Sequence, residues 1–308
     1  MLADTKASKR KSQQHGVRVH RKRRGCNILS LHNSLMDNAF VTSPYHTFIL
    51  YDPKEREIKA LPYFPDRIVH HAIMNALEPV FTGCFTADTY SCIKGKGIHG
   101  LKRGIERALR NAPATKYCFK LDVTKFYPSI GHAILKQQLR RKIKDKDLLA
   151  LLDEIIDSSP GVPIGNYLSQ YFANFYLTGF DHWLKETMRV KHYFRYADDM
   201  AILAPTKEEL HKLRVAITQY LADNLKLTVK GNYQVFEVDE RGLDMGGYRF
   251  YSTHTLLRKS IKKSLCRVIA RRRKRNATVN RSSVSAYYGW AKHCDSRHLL
   301  RKLNLNLS

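Results

Sequence analysis

The sequence predicts an α+β fold, and three observations predict it. Strand-forming runs come in hairpin pairs, Thr47 to Tyr51 with Glu57 to Leu61, and two further runs flanking Ala197-Asp198. Several longer stretches carry apolar residues at helical spacing, clearest in Ile68, Val69, Ala72, Ile73, Ala76 and Leu77. With 308 residues and 43% hydrophobic content, the chain can bury a substantial core divided among two or three subdomains.

Taken in order, residues 1 to 24 hold nine Lys or Arg against Asp4 alone, a charge of +8. So few apolar residues predict disorder in the free chain, either as a solvated tail or as an arm for RNA or a partner. Cys26 to Phe40 alternates loosely and reads as a short helix. The first two strands are joined through Asp52-Pro53-Lys54, and Asp66 opens the strongly periodic helix. Ser91-Cys92-Ile93-Lys94-Gly95-Lys96-Gly97 is a flexible basic loop leading into a helix from Ile98 to Ala112. Small residues there let backbone amides approach phosphate, although Gly-Lys sequences also make plain turns. The strand Tyr117 to Leu121 runs out into Asp122. Helices follow at His132 to Lys144 and Lys146 to Asp157, until Ser158-Ser159-Pro160-Gly161 breaks the pattern. The loop through Gln170 passes into a long helix whose Phe172, Phe175, Tyr176, Phe180 and Trp183 are core. After the second hairpin come a helix from Glu208 to Leu221, a strand from Leu225 to Val229 ending at Lys230, and a hairpin within Gly242 to Tyr251. A helix from Lys259 to Arg275 turns Ile261, Leu265, Val268 and Ile269 inward and a dense arginine face outward.

The chemistry is concentrated at Asp198-Asp199. Two adjacent carboxylates at a hairpin tip repel each other, and nothing in the fold asks for them. A divalent cation removes that cost, and Mg²⁺ takes carboxylate oxygens together with substrate phosphates. Alone, the pair is a weak signal and reads first as a solvated turn; Asp122 at a strand end supplies the third carboxylate that points to phosphoryl transfer. The net charge of +27 sits mostly at the ends, with residues 254 to 308 contributing +14. Such a distribution suits a polyanion-binding enzyme whose reacting centre is kept clear of the gripping charge. Anionic membrane is the weaker alternative, because the apolar positions between Lys262 and Arg275 suit a packed helix face. No run of about 20 apolar residues and no signal-like segment is present, which predicts a cytoplasmic protein. The six cysteines form no Cys-x-x-Cys pair and are expected to be reduced core thiols; His293, Cys294 and His298 lack a second half for a metal site.

Together, Asp122 with its strand, the stretch from Gly161 to Leu177 and Tyr196-Ala197-Asp198-Asp199 resemble the palm of a reverse transcriptase. Within it, Gly165-Asn166-Tyr167-Leu168-Ser169-Gln170 is similar to the loop of diversity-generating retroelement enzymes; retroviral enzymes usually carry Gln-Gly in place of Ile164-Gly165. The resemblance runs from about Leu50 to Leu303. It implies a right-hand polymerase fold, with fingers at 25–115, a palm of antiparallel sheet backed by helices at 116–240 (insert helices 132–157), and a primer-grip hairpin and short basic helical thumb at 241–308, after a 1–24 extension.

It also implies roles. Asp122, Asp198 and Asp199, with the Val123 carbonyl, would hold two Mg²⁺ ions, Mn²⁺ being a substitute. Lys230 would protonate the leaving pyrophosphate, or is a surface lysine. Arg56 would meet the triphosphate, Tyr127 would lie under the sugar and obstruct a 2′-hydroxyl, with Phe126 in the core, and Gln170 would reach the nascent pair. Arg67, which could equally be a scaffold contact, and Lys94, Lys96, Ile164, Gly165, Asn166, Ser169, Gly247, Lys262, Lys263 and Arg271 would line template and primer, the thumb helix suiting an A-form hybrid. Ile93 stands where relatives often place Arg, leaving Lys94 as the substitute; Leu168 replaces a hydroxyl; Gly246 replaces an apolar residue and is expected to loosen its hairpin. Trp290 is expected to pack. The implied partners are an RNA template, a DNA or RNA primer, dNTPs and a small basic accessory protein, with no membrane. An antiphage-defence or group II intron-like reverse transcriptase and a non-catalytic RNA-binding scaffold are the alternatives.

Overall fold

Antiparallel pairing builds all three sheets among the described residues of this computed structural model, which are 1–51, 55–275 and 281–305 (backbone only for 281–283). The chain forms two compact units. One comprises Met1–Ala87, Val123–Thr187 and Thr218–Val229; the other comprises Asp88–Asp122, Met188–Ile217 and Lys230–Ser308.

In the first unit, β1 (His46–Tyr51) pairs with β2 (Glu55–Ala60) in continuous register from His46↔Ala60 to Tyr51↔Glu55. Their Asp52-Pro53-Lys54 connection lies outside the described residues. The periodic helix is Ile68–Cys84 and buries Ile68, Val69, Ile73, Leu77 and Phe81. Ala76 faces solvent instead, and His70, His71 and Met74 take inward positions. Helices His132–Lys142 and Lys146–Asp157 follow, the second N-capped by Asp145, whose carboxylate accepts from the Leu148 N–H at 2.9 Å. The aromatic stripe is core: Phe172, Phe175, Tyr176 and Phe180 are buried, with Phe81 edge-on to Phe175 at 5.1 Å. Trp183, only half-buried, stacks on Tyr220 at 4.4 Å. No strand forms over Leu225 to Val229. Lys226 adopts φ 54°, which breaks extended backbone, so only an isolated bridge, Val123↔Val229, survives.

The N-terminal arm also departs from expectation, forming helices Leu2–Ser8 and His15–Lys22 followed by Arg24–Met36. Charge counting missed its few inward residues. Ala3, Ala7 and Val17 are buried, and Asp4, 4% exposed, gathers three partners. Its carboxylate accepts from the Tyr63 hydroxyl at 2.5 Å and from Arg24 Nε at 2.6 Å, and lies 3.3 Å from His20 Nε2. Lys6 donates to Asn75 Oδ1 at 2.6 Å and Arg67 Nε to the Ala7 carbonyl at 3.4 Å, fastening the arm to the Ile68–Cys84 helix and its entry.

Burial acts to raise the Asp4 pKa, but the hydrogen bonds from Tyr63 and Arg24 outweigh it and hold the carboxyl below its ordinary value. A carboxyl depressed in the folded state stabilises the dock above its unfolded pKa and gives that up as pH falls through the folded one. Amide exchange over residues 2–22, taken relative to the intrinsic rate at each pH, should therefore accelerate as pH drops below about 4. Asp4→Ala should accelerate it at neutral pH, because Tyr63 and Arg24 lose a shared acceptor. Unchanged exchange in that variant would show that apolar packing alone holds the arm.

In the second unit, β3 (Tyr117–Leu121), β4 (His192–Tyr196), β5 (Asp199–Ala204) and β6 (Gln234–Glu237) form an antiparallel sheet in the order β4-β5-β3-β6. β7 (Leu243–Met245), β8 (Tyr248–Phe250) and β9 (Thr255–Leu257) form a second sheet. One core joins Leu101 and Ile105 of helix Gly97–Leu109 to Phe194, Tyr248, Phe250, Leu265 and Ile269. Gly246 does not loosen the β7–β8 hairpin. The two-residue loop takes φ 58° and 85°, the left-handed pair for which glycine is the default, and Leu101 fills the space beside Gly246. The basic helix is Lys259–Lys274, with Leu265 and Ile269 inward and Lys262, Lys263 and Arg271 exposed. The six cysteines are free, but only Cys118 is buried and Cys26 is exposed, so the core-thiol expectation holds at one position. Among the described residues, no helix is long and apolar enough to cross a membrane.

Candidate active site

Asp122 leaves the sheet at the end of β3, and the β4–β5 hairpin turns beside it through Ala197-Asp198. A two-residue loop in a right-twisted hairpin needs positive φ at its first residue, and Ala197 supplies 55°. That conformation costs a residue with a Cβ about 1–2 kcal/mol. It is held from both sides. Ala197 N–H donates to Ser91 Oγ at 3.0 Å, and the Arg195 guanidinium donates to the Ala197 carbonyl at 3.2 Å.

The pairing of Leu121 with Met200 sets Asp122 beside the hairpin tip, close enough for its charge to act on the Asp198 carboxyl. Burial first, and the Asp122 charge next, push the Asp198 pKa well above the carboxylate range. Two lysines answer the acidity. Lys230 Nζ donates to Asp122 Oδ2, and its backbone N–H donates to the Asp122 carbonyl at 2.9 Å. Lys120 Nζ lies 3.2 Å from Asp199 Oδ1 and also donates to the Asp244 carbonyl. Burial raises the Asp199 pKa against the pull of Lys120. Asp244 in turn binds Arg258 Nε at 2.6 Å. Lys120 was missed in the sequence, although the two-residue period of a strand places it on the same face as Asp122.

Among the described residues no three acidic, His or Cys side chains form a closed ligand cluster; Asp122 is paired with Lys230 and Asp199 with Lys120. The donor set nevertheless fits a hard cation: half-buried carboxylate oxygens of like charge, one of them with its pKa raised by burial and by its neighbour's charge. Asp122, Asp198 and Asp199 are the residues that would hold it.

In the second unit, Lys94 is exposed, whereas Lys96 is used within its loop, donating to the Thr89 carbonyl at 3.1 Å and lying 5.7 Å from the Tyr90 ring centre. Gly247 is packed on its Cβ side. A Cβ there would stand 2.0 Å from the Trp290 ring, so the glycine serves packing. In the first unit, Arg56 and Gln170 are exposed, Tyr127 is half-buried and Phe126 is core. Val123 is buried, and Ser169 and Asn166 are 3% and 7% exposed. Arg67, bonded to the arm, takes the scaffold half of its two readings.

An antiparallel sheet with a carboxylate at one strand end and two more at the neighbouring hairpin tip defines the palm of a nucleic-acid polymerase of the right-hand fold. Residues 53–236 match the family described as Reverse transcriptase (RNA-dependent DNA polymerase), and the chain belongs to it. It is 24% identical over 212 residues to protein YkfC of Escherichia coli K12, covering 54% of this chain and 56% of that protein. It is 26% identical over 165 residues to nuclear intron maturase 4 of Arabidopsis thaliana mitochondria, covering 50% and 20%. Among solved structures, telomerase from Candida tropicalis with a TWJ fragment of telomeric RNA matches at TM-score 0.52 and 12% identity, over 90% of this chain and 58% of that one. The Candida albicans telomerase complex matches at 0.52 and 9%, over 76% and 51%. The chain spans about half the length of YkfC and a fifth of the maturase; the telomerase likeness carries the fold alone.

Proposed function

We propose that the chain is an RNA-directed DNA polymerase that copies an RNA template from a DNA or RNA primer. The observation that carries this is the placement of Asp122 at the end of β3, beside the β4–β5 hairpin tip that bears Asp198 and Asp199, with Lys230 on Asp122 and Lys120 on Asp199. Two Mg²⁺ ions bound there, or Mn²⁺, would supply activation of the primer 3′-hydroxyl and neutralise charge on the departing pyrophosphate. The three carboxylates bind and orient. Lys230 keeps its ammonium at the same carboxylate, where it holds a proton suited to the leaving group. On the same reading residues 25–115 are fingers, 116–240 palm and 241–308 primer grip and thumb. Arg56 meets the triphosphate, Tyr127 screens the sugar, Gln170 reaches the nascent pair, and Lys262, Lys263 and Arg271 track the phosphates of the hybrid.

The finer reading is a diversity-generating retroelement enzyme, working in the cytoplasm with a small basic accessory protein and copying adenines inaccurately. The Ile164-Gly165-Asn166 form of its loop supports this. Similarity to intron maturases supports the alternative, an intron-type enzyme. Primer extension on a defined RNA template, followed by deep sequencing of the product, tests both levels. DNA product dependent on dNTPs is the expected result, with errors concentrated opposite adenine. Accurate copying would remove the retroelement reading and keep the polymerase; no product from any primer would remove both.

A further inference from the structure

The β1–β2 hairpin needs an external support. All six residues of β1 are exposed, among them Phe48, Ile49, Leu50 and Tyr51, and a two-stranded ribbon is marginal in water by itself. What it has is a set of ties at its base, all to the segment from Ser158 to Asn166. Lys59 N–H donates to the Ile164 carbonyl at 2.9 Å, and Lys59 Nζ to Ser159 Oγ at 3.0 Å. The Tyr45 hydroxyl, one residue before β1, shares a hydrogen bond with Ser158 Oγ at 2.7 Å and accepts from Asn166 Nδ2 at 3.2 Å. Gly165 lies against the same strand. Its φ is 127°, and a Cβ would stand 2.7 Å from the Lys59 carbonyl oxygen. Asn166 is thus turned inward to a tyrosine, and Gly165 gives close approach to the chain's own backbone.

We propose that Tyr45, Gly165 and Asn166 are positioning residues that clamp the β1–β2 hairpin to the Gly165–Gln170 loop and so set the pose of Arg56 for the incoming nucleotide, without themselves contacting template or primer. The clamp stands on geometry alone; its consequence for nucleotide capture rests on the polymerase reading. Removing the Tyr45 hydroxyl and removing the Asn166 amide break one shared bond, so their effects should overlap instead of adding.

The test uses the full chain and the variants Tyr45→Phe, Asn166→Ala and the double variant. Without nucleic acid, amide exchange over 46–51 and 55–60 should rise in each single variant, and the double variant should match Tyr45→Phe, which already loses the Asn166 bond along with the Ser158 one. On an RNA template, Asn166→Ala should raise KM for dNTP about fivefold, the loss of one hydrogen bond, and Tyr45→Phe, which loses two, by at least as much, with kcat and template KM within about twofold of wild type. Unchanged exchange in both single variants would overturn the clamp. Asn166→Ala that raises template KM or misincorporation while Tyr45→Phe is silent would overturn the positioning role, because the amide would then be reading nucleic acid. If the wild-type chain extends no primer while exchange rises as stated, the polymerase reading falls and the clamp stands.

Discussion

Asp198→Asn is expected to abolish primer extension, by at least about a thousandfold, while leaving the fold intact and slightly more stable. Holding divalent cations at the reacting phosphate is a matter of several kcal/mol, and each 1.36 kcal/mol is tenfold in rate, so losing one ligand charge is enough for that deficit. The stability gain has a separate origin. Folding moves the Asp198 carboxyl out of water and beside Asp122, which raises its pKa, so at neutral pH the ionised form works against the folded state. Asparagine is isosteric, carries no charge and can donate its amide to Asp122. A gain of about 1 kcal/mol corresponds to roughly 2 °C in Tm for a chain of this size. The sign fixes the pH range. A carboxyl raised in the folded state destabilises above its unfolded pKa, so the gain should be present at pH 7 and vanish below about pH 4, where wild type is protonated in both states. Thermal unfolding in EDTA at the two pH values, beside extension assays in Mg²⁺, reads both effects. An Asp198→Asn protein that extends normally would end the assignment of Asp198 as a ligand.

The two expected effects run in opposite directions for one reason, and that reason also governs what could be read in the sequence. A side chain that disobeys its local surroundings is conspicuous. Asp-Asp at a hairpin tip and Asp122 at a strand end make no sense as folding signals, so they were legible as chemistry. The strand Tyr117–Leu121, the hairpin flanking Ala197-Asp198 and the inward face of Lys259–Lys274 were legible because periods of two and 3.6 are local. What escaped depends on partners brought together by the fold, 20 to 121 residues apart in the chain. Asn166 and Gly165 read as template contacts until Tyr45 and Lys59 stand beside them. Lys120 reads as a strand charge until Asp199 pairs with it. The arm reads as disordered because composition counts its nine cations, while Asp4, Tyr63 and Arg24 decide its structure.

Arg195 carries the second large effect. It is fully buried on β4, and its backbone is paired on the outer side, the N–H donating to the Asp88 carbonyl and the carbonyl accepting from the Tyr90 N–H, both at 3.0 Å. Its guanidinium spans two acceptors, the Ala197 carbonyl at 3.2 Å and Thr89 Oγ1 at 3.2 Å. A planar fork of fixed donors can satisfy both at once, and a lysine ammonium on a flexible stem cannot keep that geometry. Arg195→Ala leaves a large void together with stranded buried acceptors, and should cost about 3–5 kcal/mol by chemical denaturation. Arg195→Lys is the more informative variant, since it keeps the charge and most of the volume. With the Ala197 carbonyl poorly held, the left-handed turn is free to relax and Asp198 moves relative to Asp122. The expected outcome is a kcat lower by about ten- to a hundredfold, the size of a positioning loss, and a shift of the Mg²⁺ response to higher concentration at little change in dNTP KM. A merely structural arginine would lower the unfolding midpoint and leave the Mg²⁺ titration of the folded enzyme where it was; wild-type kcat and Mg²⁺ dependence in Arg195→Lys would therefore confine this residue to stability and leave Ser91, on the other side of Ala197, as the group that fixes the turn.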